Sequence, residues 1–146
     1  LRRQRQMCIR DRDNIAYLKA NYQQETATAY YTEVISQIKS TEKYNSNLPV
    51  LFYGAAGSMD DSIPILWRFD DIQLQGYSNN MHDFISYYAG KEFLELHCGY
   101  TYQEPENREA IIASENFQKM PCYPCDGSIK IIDGVVVVKW SNFEVR

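Results

Sequence analysis

"MPCYPCDGSIKIIDGVVVVKWS", Met120–Ser141, is the stretch on which the fold turns. Asp133-Gly134 separates two β-rich runs, Ser128–Ile132 and Val135–Trp140. An Asp-Gly pair supplies the two positive φ angles of a type I′ turn, so the runs predict a hairpin. Side chains alternate between the two faces of a strand, and four successive valines leave neither face polar. That strand is expected inside a sheet, with Val136 and Val138 covered on one side and Val135 and Val137 on the other. Ahead of the hairpin, Pro121 precedes a C-x-x-C pair, Cys122 and Cys125, and Pro124 lies within it; the two prolines favour an extended or turning path there.

Working outward, "LPVLFYG", Leu48–Gly54, reads as a buried strand: short, apolar, with Pro49 near its start and Gly54 at its end. From Asp13 to about Lys43 the pattern predicts one long helix. Ile15, Leu18, Tyr22, Ala27, Tyr30, Val34 and Ile38 face inward, and Asp13 is the expected N-cap. Ile65–Gln75 holds a short strand and Asn79–Ala89 a helix stopped by Gly90. Lys91–Thr101 is readable either way. Glu106–Lys119 predicts another helix, preceded by Pro105, with Ala110, Ile111, Ala113 and Phe117 as its apolar positions and Glu106 and Glu109 suiting the dipole of its first turn. The order helix, strand, helix, helix, hairpin implies an α/β fold class. It would be a small layered domain with a long N-terminal helix, buried central strands and a C-terminal β-hairpin.

The length of 146 residues suits one domain, and 45% apolar residues suffice for a core. No run approaches the ~20 apolar residues of a membrane helix, and no apolar segment of a signal peptide follows the basic start. That start, "LRRQRQMCIRDR", resembles translated sequencing-adapter read-through, as found at the ends of metagenomic reading frames. Residues 1–12 are therefore expected to be non-native or disordered, and residues 13–146 to form the single domain. Five arginines and one aspartate fall in the first twelve residues, so the remainder, with ten basic and eighteen acidic residues, carries a net charge of −8. A domain this acidic, with no basic stripe, is poorly suited to nucleic acid or anionic lipid.

The chemistry-bearing residues are few. A redox C-x-x-C opens a helix, whose N-terminus activates the first thiol. Here the sequence after Cys125 reads as turn and strand. A zinc site needs four ligands; Cys98, His97, Cys122 and Cys125 are the only set in view, at irregular spacing. "YGAAGSMDD", Tyr53–Asp61, comes after a strand as a phosphate loop would, but it lacks the lysine and its aspartates would repel phosphate. Asp60, Asp61, Asp70 and Asp71 are candidate ligand contacts, as paired carboxylates for glycosidic or calcium chemistry if their loops meet. Exposed loop carboxylates are the plainer reading. His82 and His97 stand in no nucleophile–base pattern. Twelve tyrosines could stack on sugar rings or simply pack. No catalytic, cofactor-binding or metal-ligating residue is assigned, and no cofactor is expected.

The tail carries a resemblance. In "KMPCYPCDGSIKIIDGVVVVKWS", residues Met120, Pro121, Tyr123, Pro124, Gly127, Ser128, Ile129, Asp133, Gly134, Val137, Val138 and Lys139 fit a closing pattern of Met-Pro, aromatic, Pro, Gly-Ser-aliphatic, acidic-Gly and Val-Val-Lys. This resembles the end of the GtrII-type (O-antigen) glucosyl transferases, polytopic bacterial membrane proteins. "LPVLFYG" and the polar segment "PENREAIIASENFQK" before Met-Pro are similar too. The resemblance implies a soluble C-terminal domain on the extracytoplasmic side of a bacterial membrane. Its partner would be the membrane portion of the same polypeptide, which moves glucose from a polyprenyl-linked donor to a surface glycan acceptor. The family's catalytic acids lie in that membrane portion and its early loops, so none maps onto this chain. Cys122 and Cys125 depart from the pattern; in such a compartment they could form a local disulfide. The alternatives are a stand-alone thiol-redox or metal-binding protein built on Cys122 and Cys125, and a non-catalytic sugar-binding module.

Overall fold

A computed structural model describes residues 2–56 and 91–143. The elements in chain order are helix α1 (Arg2–Ser40), strand β1 (Val50–Tyr53), helix α2 (Lys91–Cys98), the short helices α3 (Arg108–Ala113) and α4 (Glu115–Gln118), and strands β2 (Ile129–Ile132) and β3 (Val135–Lys139). The strands form a mixed sheet of order β1-β3-β2, so the valine strand is central. β3 runs antiparallel to β2 through the predicted turn, where Asp133 and Gly134 have φ of 50° and 77°. It runs parallel to β1, with Val50 opposite Val136 and Phe52 opposite Val138.

All five residues of β3 are buried, and the alternation sorts them into two cores. Val136 and Val138, with Val50 and Phe52 from β1 and Ile129 and Ile131 from β2, meet the apolar stripe of α1 and Phe93 and Leu94 of α2. Val135 and Val137, with Leu51 and Ile132, meet Ile111 of α3, Phe117 of α4 and Met120. The result is three layers: a long helix and α2, the sheet, and a pair of short helices. The expected α/β layered domain, the buried central strands and the facing of the four valines are all observed.

Three helical expectations need correction. First, α1 begins at Arg2, not Asp13, which is an interior helical residue. Arginine, glutamine, leucine and methionine are good helix formers and no breaker precedes Asp13. Second, Leu18 and Tyr22 are 55% and 39% exposed. The buried stripe runs Lys19, Gln23, Ala27, Tyr30, Tyr31, Val34, Ile35 and Ile38. A straight helix keeps one face at steps of three and four, and the five-residue step from Tyr22 to Ala27 turns the face away. Third, the segment predicted as one helix over Glu106–Lys119 is two. Ser114 has φ −69° and ψ 145°, an extended conformation that ends α3 and caps α4, its Oγ accepting from Phe117 N–H at 3.2 Å and donating to Ile111 O at 2.6 Å. Ile111 and Phe117 are buried there, whereas Ala110 and Ala113 are exposed. The ambiguous segment is resolved as α2: its apolar pair Phe93 and Leu94 points inward while Leu96 is 73% exposed, which excludes a strand alternating through Leu94 and Leu96.

Candidate functional site

β3 positions one corner of the molecule through Lys139. This residue sits at an inward position of the strand on the α4 side and is 2% exposed. Its Nζ donates to Met120 O at 2.9 Å and to Phe117 O at 3.3 Å, and lies 4.9 Å from the centre of the Phe117 ring. Those carbonyls mark the C-terminal end of α4, where the helix dipole favours a cation. The lysine thereby ties the end of α4 and the start of the Met120–Cys125 segment to the middle of the sheet.

From that anchor the segment turns twice. The Tyr123 N–H donates to Lys139 O at 2.7 Å, and its buried ring meets Tyr30 edge-on at 5.9 Å. The Cys125 N–H donates to Cys122 O at 3.0 Å and the Ser128 N–H to Cys125 O at 3.1 Å. The Tyr123–Pro124 peptide is cis. Cys122 is half-buried, Cys125 is exposed, and both are free thiols. Beyond Cys125 the chain enters a turn and then β2, not a helix.

The other sequence candidates do not converge on this corner. Cys98 ends α2 and hydrogen-bonds the Thr32 side chain; burial pushes its thiol up from the usual value of 9.0, and the Thr32 bond opposes the rise. His97 packs on Phe93, with ring centres 4.6 Å apart, and its Nδ1 is 3.0 Å from Gln24 Nε2. Among the described residues no three His, Cys, Asp or Glu side chains gather as a metal site, so the set Cys98, His97, Cys122 and Cys125 is not assembled. Asp60, Asp61, Asp70, Asp71 and His82 lie outside the described residues, as do the predicted elements Ile65–Gln75 and Asn79–Ala89. At the start of the glycine loop, Gly54 has φ 93° and the Ala55 N–H is already taken by Ser141 Oγ at 3.1 Å.

Among the described residues the tyrosines mostly pack. Tyr30, Tyr31, Tyr100 and Tyr123 are buried, and Trp140 stacks on Phe52 at 5.0 Å; Tyr17 and Tyr22 are the exposed ones among the described residues. Burial holds the Tyr31 and Tyr100 phenols well above their usual range. Tyr102 is pushed up to about 12, by burial first and then by Glu104 and Glu95.

One open groove of about 710 Å³ escaped the sequence reading. The described residues lining it come from the polar flank of α1, among them Asn21, Gln24, Glu25, Thr28, Thr32 and Glu33. Thr28 and Thr32 each donate their hydroxyl hydrogen to the carbonyl four residues back, at 2.8 and 2.7 Å. Of the groove's amides, Asn21 Nδ2 donates to Glu25 Oε1 at 3.2 Å and Gln24 Nε2 lies 3.0 Å from His97 Nδ1. No motif announces it, because helix periodicity alone brings these residues onto one flank.

No protein-family model, no curated protein and no solved structure matches this chain. Among the described residues no helix is long and apolar enough to cross a membrane.

Proposed function

We propose that this chain is the C-terminal extracytoplasmic domain of a GtrII-type membrane glucosyltransferase, an accessory to catalysis that engages the glycan acceptor or the polyprenyl-linked donor. The observation that carries the reading is a coincidence of two sets of residues. Seven of the twelve residues that fit the family's closing pattern are also residues on which this fold closes. Met120 and Tyr123 are core residues, Asp133 and Gly134 form the turn, Val137 and Val138 fill both faces of the central strand, and Lys139 holds the end of α4. A pattern placed on such residues specifies a domain rather than an active site, in keeping with catalytic acids carried by the membrane portion. The α1 groove, lined by Asn21, Gln24, Thr28 and Glu33 among others, is the surface this reading assigns to the sugar.

Two measurements test the proposal. The source DNA upstream of the codon for Asp13 should encode a cluster of apolar segments of ~20 residues; a reading frame without them refutes the membrane assignment. The purified chain should bind surface-glycan oligosaccharides weakly, and Gln24→Leu with Thr28→Val should reduce that binding. Titration calorimetry showing no binding, or binding untouched by the pair, would refute the role of the groove.

A further inference from the structure

We propose that Cys122 and Cys125 form a thiol–disulfide exchange site, in which the fold presets the pair to close into an internal disulfide on meeting a disulfide oxidant. The geometry rests on the turn. The Cys125 N–H to Cys122 O bond at 3.0 Å makes the two cysteines the first and last residues of a β-turn. Such corners lie within about 7 Å between Cα atoms, which overlaps the window of about 4.4–6.8 Å that a disulfide spans.

The turn is held from inside and open outside. Tyr123, between the thiols, is fixed by its 2.7 Å bond to Lys139 O and by its ring beneath Tyr30. Cys125 is held again by the bond from Ser128 N–H. The thiols themselves remain free, with Cys125 exposed and Cys122 half-buried. A fixed backbone reduces the freedom lost on closing the ring, and exposure gives the oxidant access.

Glutathione disulfide serves as the oxidant in vitro. The Cys125 sulfur, as thiolate, attacks one glutathione sulfur; a new S–S bond forms, the glutathione S–S bond breaks, and one glutathione leaves as thiolate. The Cys122 thiolate then attacks the Cys125 sulfur and expels the second glutathione. The cysteine pair loses two hydrogens and two electrons, and the oxidant becomes two molecules of reduced glutathione. This chemistry uses any disulfide, small or protein-borne, and does not depend on the glucosyltransferase reading.

The test is a redox titration of the whole chain in mixed reduced and oxidised glutathione, quenched by alkylation and read by peptide mapping. The closed pair should exceed mixed glutathione adducts at either cysteine by about tenfold or more, as a preset intramolecular partner outcompetes millimolar thiol. Cys122→Ser should trap glutathione on Cys125, while Cys125→Ser should react more slowly at the half-buried Cys122. Concentrated urea should lower the ratio of closed pair to adduct, because the turn is lost. Stable adducts without closure, bonds to Cys98 or Cys8 instead, or a ratio unchanged in urea would each overturn the proposal. The last outcome would mean that closeness in sequence, not the fold, joins the thiols.

Discussion

Replacing Lys139 with methionine removes a charge and keeps most of the volume, so it isolates what the ammonium does. In the folded chain that ammonium is withdrawn from water, which opposes its presence by several kcal/mol. Against this stand two hydrogen bonds to carbonyls and the face of Phe117. The two carbonyls are unequal. Phe117 O also accepts from Met120 N–H at 3.1 Å and survives the substitution with a partner. Met120 O, at 2.9 Å from Nζ in a residue only 4% exposed, loses the lysine bond. An orphaned buried acceptor costs about 1–3 kcal/mol, and the relief of ion desolvation keeps the net from growing beyond that. Lys139→Met should therefore destabilise by about 1–3 kcal/mol. Lys139→Ala should cost more, since the alkyl stem is packed as well. Urea denaturation monitored by tryptophan fluorescence, with linear extrapolation, resolves both differences. A methionine variant as stable as the parent, or more stable, would refute the reasoning and show that desolvation outweighs the bonds to α4.

Val138→Asp should be far more damaging than Gly134→Val in thermal melts. The first buries an unpaired carboxylate at a fully enclosed position, costing several kcal/mol; at Gly134 a Cβ meets no atom within 4 Å, so the main cost is its φ of 77°, about 1–2 kcal/mol. The reverse order would mean that β3 is not central. Gly54→Ala should exceed Gly134→Ala in chemical denaturation, because a Cβ at Gly54 would lie 2.6 Å from Ser141 N and also overlap Ser141 Oγ; equal effects would refute the close approach. Stability should fall as pH rises above 10 toward 12. Folding holds Tyr31, Tyr100 and Tyr102 protonated beyond their usual value of 10.0, so the unfolded chain releases those protons first and gains. Phenolate absorbance that rises fully at 10, without unfolding, would refute this.

The hairpin and β1 could be read from sequence because each carries two agreeing signals, a period of two or an unbroken apolar run and a turn residue that the backbone requires. α1 was readable as a helix but not in its facing. Lys19 and Gln23 are buried where Leu18 and Tyr22 were expected, because the geometry of the helix outranks the polarity of single side chains. The break at Ser114 was hidden because serine fits a helix poorly but not impossibly, and only its bonds to Ile111 and Phe117 reveal it as a cap. At the site, the cysteine pair was visible as spacing, while its placement at the corners of one turn was not. Lys139 gave a faint signal, a lone cation that closes a strand with no exposed face. The α1 groove gave none.

The parallel register of β1 on β3 has a consequence for how this chain is made. Val50 finds its partner in Val136, more than half the sequence away. A ribosome releases α1 and β1 long before the strand that completes them. The contacts of β2 with β3 are local, since the two strands are neighbours, whereas β1 cannot pair until β3 has emerged. Because β3 is the middle strand, a chain stopped before Val135 would not lose an edge of the sheet: β1 and β2 would have no strand in common, and both apolar layers would stand open. Synthesis must therefore pass Lys139 before this domain can fold, and truncated products should be caught by proteases or aggregate rather than persist as smaller working versions.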